Sequence, residues 1–153
     1  MKSALAIVLA GMCFLMLQAQ AQEVKGTKAP SQRVRFEAVD VYADAGDAPL
    51  AAYQFEMAAE VGEVKIVGVE GGEHPAFADA PYYDPAVLAH HRIIIAAFNT
   101  GEDLPAGRTR VARVHFQVLG DAEPEYVVQL DTAASADGGP LTIELTLERG
   151  AEK

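Results

Sequence analysis

The chain has 153 residues, with 22 acidic against 12 basic side chains, a formal net charge of −10 and a single cysteine. That length suits one domain, large enough to bury roughly two-thirds of its unfolded surface around one core. An acidic surface is a poor match for nucleic acid, where affinity rests on Lys and Arg, and for anionic lipid. The plainest consequence of the charge is solubility.

The first residues read as a targeting segment rather than as part of a fold. Lys2 supplies a positive start, residues 4–17 form an uncharged apolar run, and Ala19-Gln20-Ala21 fits small-x-small cleavage. Residues 1–21 are therefore expected to be a secretory signal peptide cut before Gln22. The run is short of the roughly 18–20 apolar residues that a membrane span needs. Cys13 follows Met12 deep in the run, which does not fit a lipoprotein signal. It leaves with the signal, so the exported chain, periplasmic or extracellular, carries no thiol nucleophile, thiolate metal site or redox motif.

Residues 22–32 are polar, with Gly, Pro and Ser, and suit a flexible leader. The first strand is expected over 34–43. Its alternation changes phase between Ala38 and Val39, which suggests a bulge or a strand shared by two sheets. Asp44-Ala-Gly-Asp-Ala-Pro49 is turn composition. Over 50–61 the alanines would tolerate a helix. The unbroken alternation of Tyr53, Phe55, Met57, Ala59 and Val61 decides for strand. Gly62-Glu63 turns the chain into a β-branched strand over 64–69, and the two strands resemble a hairpin.

Residues 70–91 hold Gly71-Gly72 and three prolines, and loops of this length in compact domains often carry function. Pro85 to His90 is expected to form one helical turn with Asp84 as its cap. Residues 92–98 (RIIIAAF) are the most apolar strand and read as central. After Leu104-Pro-Ala-Gly107 comes a long strand. From Ala112, the set Ala112, Val114, Phe116 and Val118 faces a core, while Thr109, Val111, Arg113, His115 and Gln117 mostly face water. Further strands follow at Tyr126, Val128 and Leu130 and at Leu141, Ile143, Leu145 and Leu147, and residues 150–153 should fray. Short strands with turns between them are the pattern of an antiparallel β-sandwich of about seven to nine strands over 33–149.

Four local features resemble one family. They are GDAP at 46–49 after the opening strand; Ala-Tyr-x-Phe (Tyr53, Phe55) leading to VKIVGVEGG; Tyr83-Asp84-Pro85 in the long loop; and an apolar strand, Gly107, then Ala-x-Val-x-Phe-x-Val at 112–118. Over roughly residues 33–148 the chain resembles the cohesin and carbohydrate-binding-module type of jelly-roll sandwich. It departs from that pattern in placing Tyr-Asp-Pro after the Val-Gly-Val strand and in a longer interval from Gly107 to Ala112. There is also no dockerin-like Asp-x-Asp-x-Asp-Gly repeat in the chain. The resemblance implies the fold and a habit of non-catalytic binding. It transfers no ligand and no binding residues.

The loop is the candidate ligand-binding site, through His74, Phe77, Tyr82, Tyr83 and Asp84. Flat rings with polar edges suit sugar stacking or protein contact, and Asp79 and Asp84 can accept hydrogen bonds. The competing reading is that the rings fold back and cap one end of the sandwich. Asp40, Asp44 and Asp47, with Glu102 and Asp103, invite calcium, but turn formation accounts for such acids more simply. His74, His90, His91 and His115 lack a zinc motif. Arg108, Arg110 and Arg113 fit pairing with acidic neighbours across strands or protection of a sheet edge. No Gly-x-Ser-x-Gly is present, and Ser31 and Ser135 lie in leader and turn. The expectation is an exported, non-enzymatic module without cofactor that binds a polysaccharide or an extracellular protein. The alternative is an assembly subunit of an envelope or surface complex.

Overall fold

The structure, a computed structural model, describes residues 32–150. The expected signal peptide, most of the leader and residues 151–153 lie outside the described residues. Seven strands form the body: β1 (Val34–Asp44), β2 (Leu50–Val61), β3 (Glu63–Gly71), β4 (Arg92–Phe98), β5 (Arg108–Leu119), β6 (Glu125–Ser135) and β7 (Glu144–Arg149). They make two antiparallel sheets, one ordered β3-β5-β1-β7 and the other β4-β2-β6. The fold is the antiparallel β-sandwich that the alternation predicts.

One core lies between the sheets. Phe116, Val114 and Val118 of β5 and Val39 and Val41 of β1 meet Phe55 and Met57 of β2 and Ile93 and Ile95 of β4. Burying side chains of this size is worth about 1.5–3 kcal/mol each. Without a cysteine in the described residues, this apolar core is what holds the sheets together.

Five expectations need correction. Residues 50–61 and 64–69 are not a hairpin. β2 is the middle strand of one sheet, while β3 is an edge strand of the other and pairs with β5. Gly62, at φ 89°, hands the chain from sheet to sheet. β4 is not central but an edge strand. Its apolar run has two causes: Ile93 and Ile95 enter the core, and Ile94 and Phe98 point to water. β1 has no bulge where its alternation changes phase: its register with β5 is unbroken from Val34 to Val41, and Val34 and Phe36 face water at 47% and 61% exposed. The bulge in this pair lies further along and belongs to β5. Val41 pairs with Ala112 and Tyr42 with Arg110, so Val111 is the extra residue and is buried together with Thr109 rather than facing water. β1 itself stays within one sheet. Finally, β5 lies inside its sheet, so its arginines guard no edge.

The long loop closes one flank of the sandwich. Ala89 donates to Ile66 O at 2.8 Å and Ile66 to His90 O at 2.8 Å, covering the edge of β3. Ala59 donates to His91 O at 2.9 Å, which ties the same segment to β2. At the loop's entry, a Cβ on Gly71 would overlap the Ala78 and Asp79 carbonyl oxygens, and one on Gly72 the Arg110 oxygen. Glycine is required there because backbone packs directly on backbone.

Candidate functional site

Within the loop, two 3-10 turns place the aromatic residues. Pro75–Phe77 is capped by His74, whose Nδ1 accepts from the Ala76 N–H at 3.2 Å. Pro85–Val87 is capped by Asp84, whose Oδ1 accepts from Ala86 at 2.9 Å, as the sequence predicts. Proline at the first position and an extended cap residue favour both turns.

The five candidate residues separate. Phe77 is only 4% exposed and meets the Tyr53 ring edge-on at 5.2 Å. It belongs to the core and presents no surface to a ligand, as the capping reading has it. Tyr83 is half-buried and packs on the same core. His74 is half-buried; its Nε2 lies 3.9 Å from Asp103. Asp84 is exposed but engaged at its turn. Tyr82 stands apart, 68% exposed.

The backbone holds Tyr82 in place. Its N–H donates to Ala96 O at 2.8 Å and its C=O accepts from Ala96 N–H at 3.0 Å, a one-residue extension of the β4 edge. Its ring lies parallel to Phe98, with centroids 6.1 Å apart and planes 8° apart. Phe98 is 64% exposed and Ile94 50%. Alternation along β4 sets Ile94, Ala96 and Phe98 on the outer face of the sheet. Register then completes three rows across it: Phe98, Ala52, Ala134; Ala96, Gln54, Thr132; and Ile94, Glu56, Gln129.

A hollow of about 220 Å³ opens on this face, lined by Tyr82, Ala96, Phe98, Ala52, Gln54 and Thr132 among others. A second, of about 390 Å³, lies by Ile94 between Asp84, Val87, His90, His91 and Glu56. At the polar border Arg92 pairs with Glu56 at 2.7 Å, and Gln54 Nε2 donates to Asp131 at 3.2 Å. Phe98 and Ile94 escaped the sequence reading because they sat within a strand pattern. The available signal was that β4 is apolar at both parities while only one parity fills the core.

The other candidate clusters are occupied by structure. Asp40, 6% exposed, accepts two hydrogen bonds from Arg113 at 2.7 and 2.8 Å, and this contact raises the Arg113 guanidinium above its ordinary value. Asp44 accepts from Gly46 N–H at 2.9 Å within its turn, and His115 meets Glu70 at 2.8 Å. Among the described residues no three His, Cys, Asp or Glu side chains converge to hold a metal ion. Two phenols are pushed up from their ordinary value: Tyr53 by burial, and Tyr126 by burial and then by its bond to Glu37. Both lie within the sandwich rather than on the outer face.

No helix among the described residues is long and apolar enough to cross a membrane. No family model, curated protein or solved structure matches this chain.

Proposed function

We propose that the chain is an exported, non-catalytic interaction module of the cohesin-like jelly-roll kind, and that it binds a protein partner through the outer face of β4-β2-β6. Export rests on the signal-like residues 1–21. The observation that carries the reading is the parallel, exposed Tyr82–Phe98 pair on the same face of β4 as the exposed Ile94. These rings project away from the core and leave apolar area in water. Covering a side chain of this size stabilises a complex by roughly 1.5–3 kcal/mol, and aromatic anchors beside a hollow are the usual energetic centre of an interface.

A polysaccharide is the second reading. A flat ring beside Gln54, Asp131 and Thr132 offers a stacking surface with hydrogen-bonding groups next to it. One experiment separates the two. Residues 22–153 are presented to a panel of insoluble polysaccharides and, separately, to purified exported proteins of the producing cell, with Tyr82→Ala and Phe98→Ala alongside. Retention of a protein, lost in both variants at unchanged melting temperature, is the expected result. Retention on a glycan with the same losses selects the second reading. Binding that survives both substitutions removes this face from the function.

A further inference from the structure

We infer that the partner seated on this face is a basic protein segment, offering an apolar side chain to the hollow beside Phe98 and a lysine or arginine to Asp131. The inference rests on the reading above that this face binds protein, and it adds the chemistry of the partner. Three observations carry it.

The first is an uncompensated charge. Glu56 has Arg92 at 2.7 Å, so that pair is neutral. Asp131 has only the Gln54 amide at 3.2 Å, a donor without charge. Among the described residues no Lys, Arg or His nitrogen comes within ion-pairing distance of it. The second is a bulge. Gln54 pairs with Thr132 and Phe55 with Leu130, which leaves Asp131 as the extra residue of β6. A bulge re-aims the side chain it carries, and here it sets the carboxylate beside Gln54, a wall of the hollow. The third is the overall balance, a net charge of −10. That field draws cations toward the molecule and raises the encounter rate of a basic partner.

Other occupants fit less well. A calcium ion takes six to eight oxygens, and Asp131 with Gln54 supplies too few. An anionic polymer or lipid surface would meet the lone carboxylate as a repulsion. A cationic side chain gains a charge-assisted bond, and its apolar neighbour fills the hollow.

The test uses residues 22–153 and three synthetic ten-residue peptides in which leucine alternates with lysine, glutamine or glutamate. Binding is followed by fluorescence anisotropy at low salt. The lysine peptide is expected to bind. Asp131→Asn should weaken it roughly tenfold, and Phe98→Ala by tenfold or more. Glu144→Gln, which removes the same charge from the other sheet, should change it less than about twofold. Equal losses in Asp131→Asn and Glu144→Gln would mean diffuse attraction and overturn the inference. Equal binding of the glutamine peptide, still abolished by Phe98→Ala, would overturn the basic partner and leave the face reading standing. If no peptide binds, or if Phe98→Ala has no effect, the face reading fails and the inference with it.

Discussion

The two outer faces of the sandwich are built on opposite terms. On the face of β3-β5-β1-β7, charges meet across strands in the order Glu70, Arg113, Asp40, Glu148. Arg113 grips Asp40 through two bonds, His115 meets Glu70, and Arg108 reaches Glu148 while lying 3.7 Å above the Tyr42 ring. Most charges of that face pair within it, with Asp44 and Glu144, opposite each other at its edge, as exposed exceptions. The face of β4-β2-β6 leaves Phe98, Tyr82 and Ile94 in water and Asp131 without a counter-charge. One sheet surface pairs most of its charges within the molecule and leaves a single aromatic ring, Phe36 at 61% exposed, in water, whereas the other leaves two rings exposed and stacked on each other. Similar strands with similar alternation thus yield a mainly charge-paired face and the face proposed above as the contact surface. The difference lies in whether the outward side chains find each other.

The largest expected contrast lies between two rings five residues apart. Phe77→Ala removes a core side chain and should cost about 3–5 kcal/mol of stability. Tyr82→Ala gives up only the stack on Phe98 and should cost about 1 kcal/mol or less. Urea unfolding of both variants measures this directly. Comparable losses would make Tyr82 a structural cap and would end the distinction between ring and face. Next comes the contrast in carboxylates. Arg113→Met leaves Asp40 buried beside a thioether, with only Arg110, at 3.7 Å, as cation, and should cost about 3 kcal/mol. Asp131→Asn should leave stability within about 0.5 kcal/mol of wild type. A large loss on Asp131→Asn would show that its charge is used within the fold rather than held for a partner.

Much of this is legible in the amino-acid sequence. The period of two over residues 50–61 outweighed the alanines, the alternation from Ala112 to Val118 gave the core side of β5, and Asp84-Pro85 marked a capped turn. Neighbourhood was not legible. Alternation says which side chains are buried, but says nothing of which strand lies alongside, so the short Gly62-Glu63 link read as a hairpin although it joins two sheets. The same gap made β4 look central. An apolar residue facing a core and one facing water for a partner have identical letters. Tyr82 could be picked out as a loop aromatic, but so could Phe77. Only the close backbone approach at Gly71 and Gly72, and the pairing of Tyr82 with Ala96, decide which ring turns inward.

The interior also predicts a response to alkali that neither face should control. Tyr53 donates to Val111 O at 2.9 Å from within the core, and Tyr126 donates to Glu37 at 2.6 Å. Both phenols titrate above their ordinary value near 10 when folded. The unfolded chain therefore releases these protons first. Their contribution is whole below pH 10 and is lost progressively as pH rises above it. Stability measured by urea unfolding should fall above pH 10, with a shallower fall in Tyr53→Phe and in Tyr126→Phe. An unchanged slope in both variants would assign the alkaline loss to other groups.

The smallest expected effect is the one that tests whether ion pairs themselves distinguish the faces. Each face carries a partly exposed pair, Arg108–Glu148 on one and Arg92–Glu56 on the other. Double-mutant cycles on both should give coupling of about 0.2–1 kcal/mol, falling as salt is raised. Arg108→Ala alone should cost more than its cycle coupling, because the guanidinium also covers the Tyr42 ring. Equal couplings would mean that exposed pairs are interchangeable between the faces. The difference would then reside in the stacked Tyr82 and Phe98 rings. A markedly stronger Arg92–Glu56 coupling would instead mean that the contact face is braced from within, and its exposed rings would need another explanation than a partner.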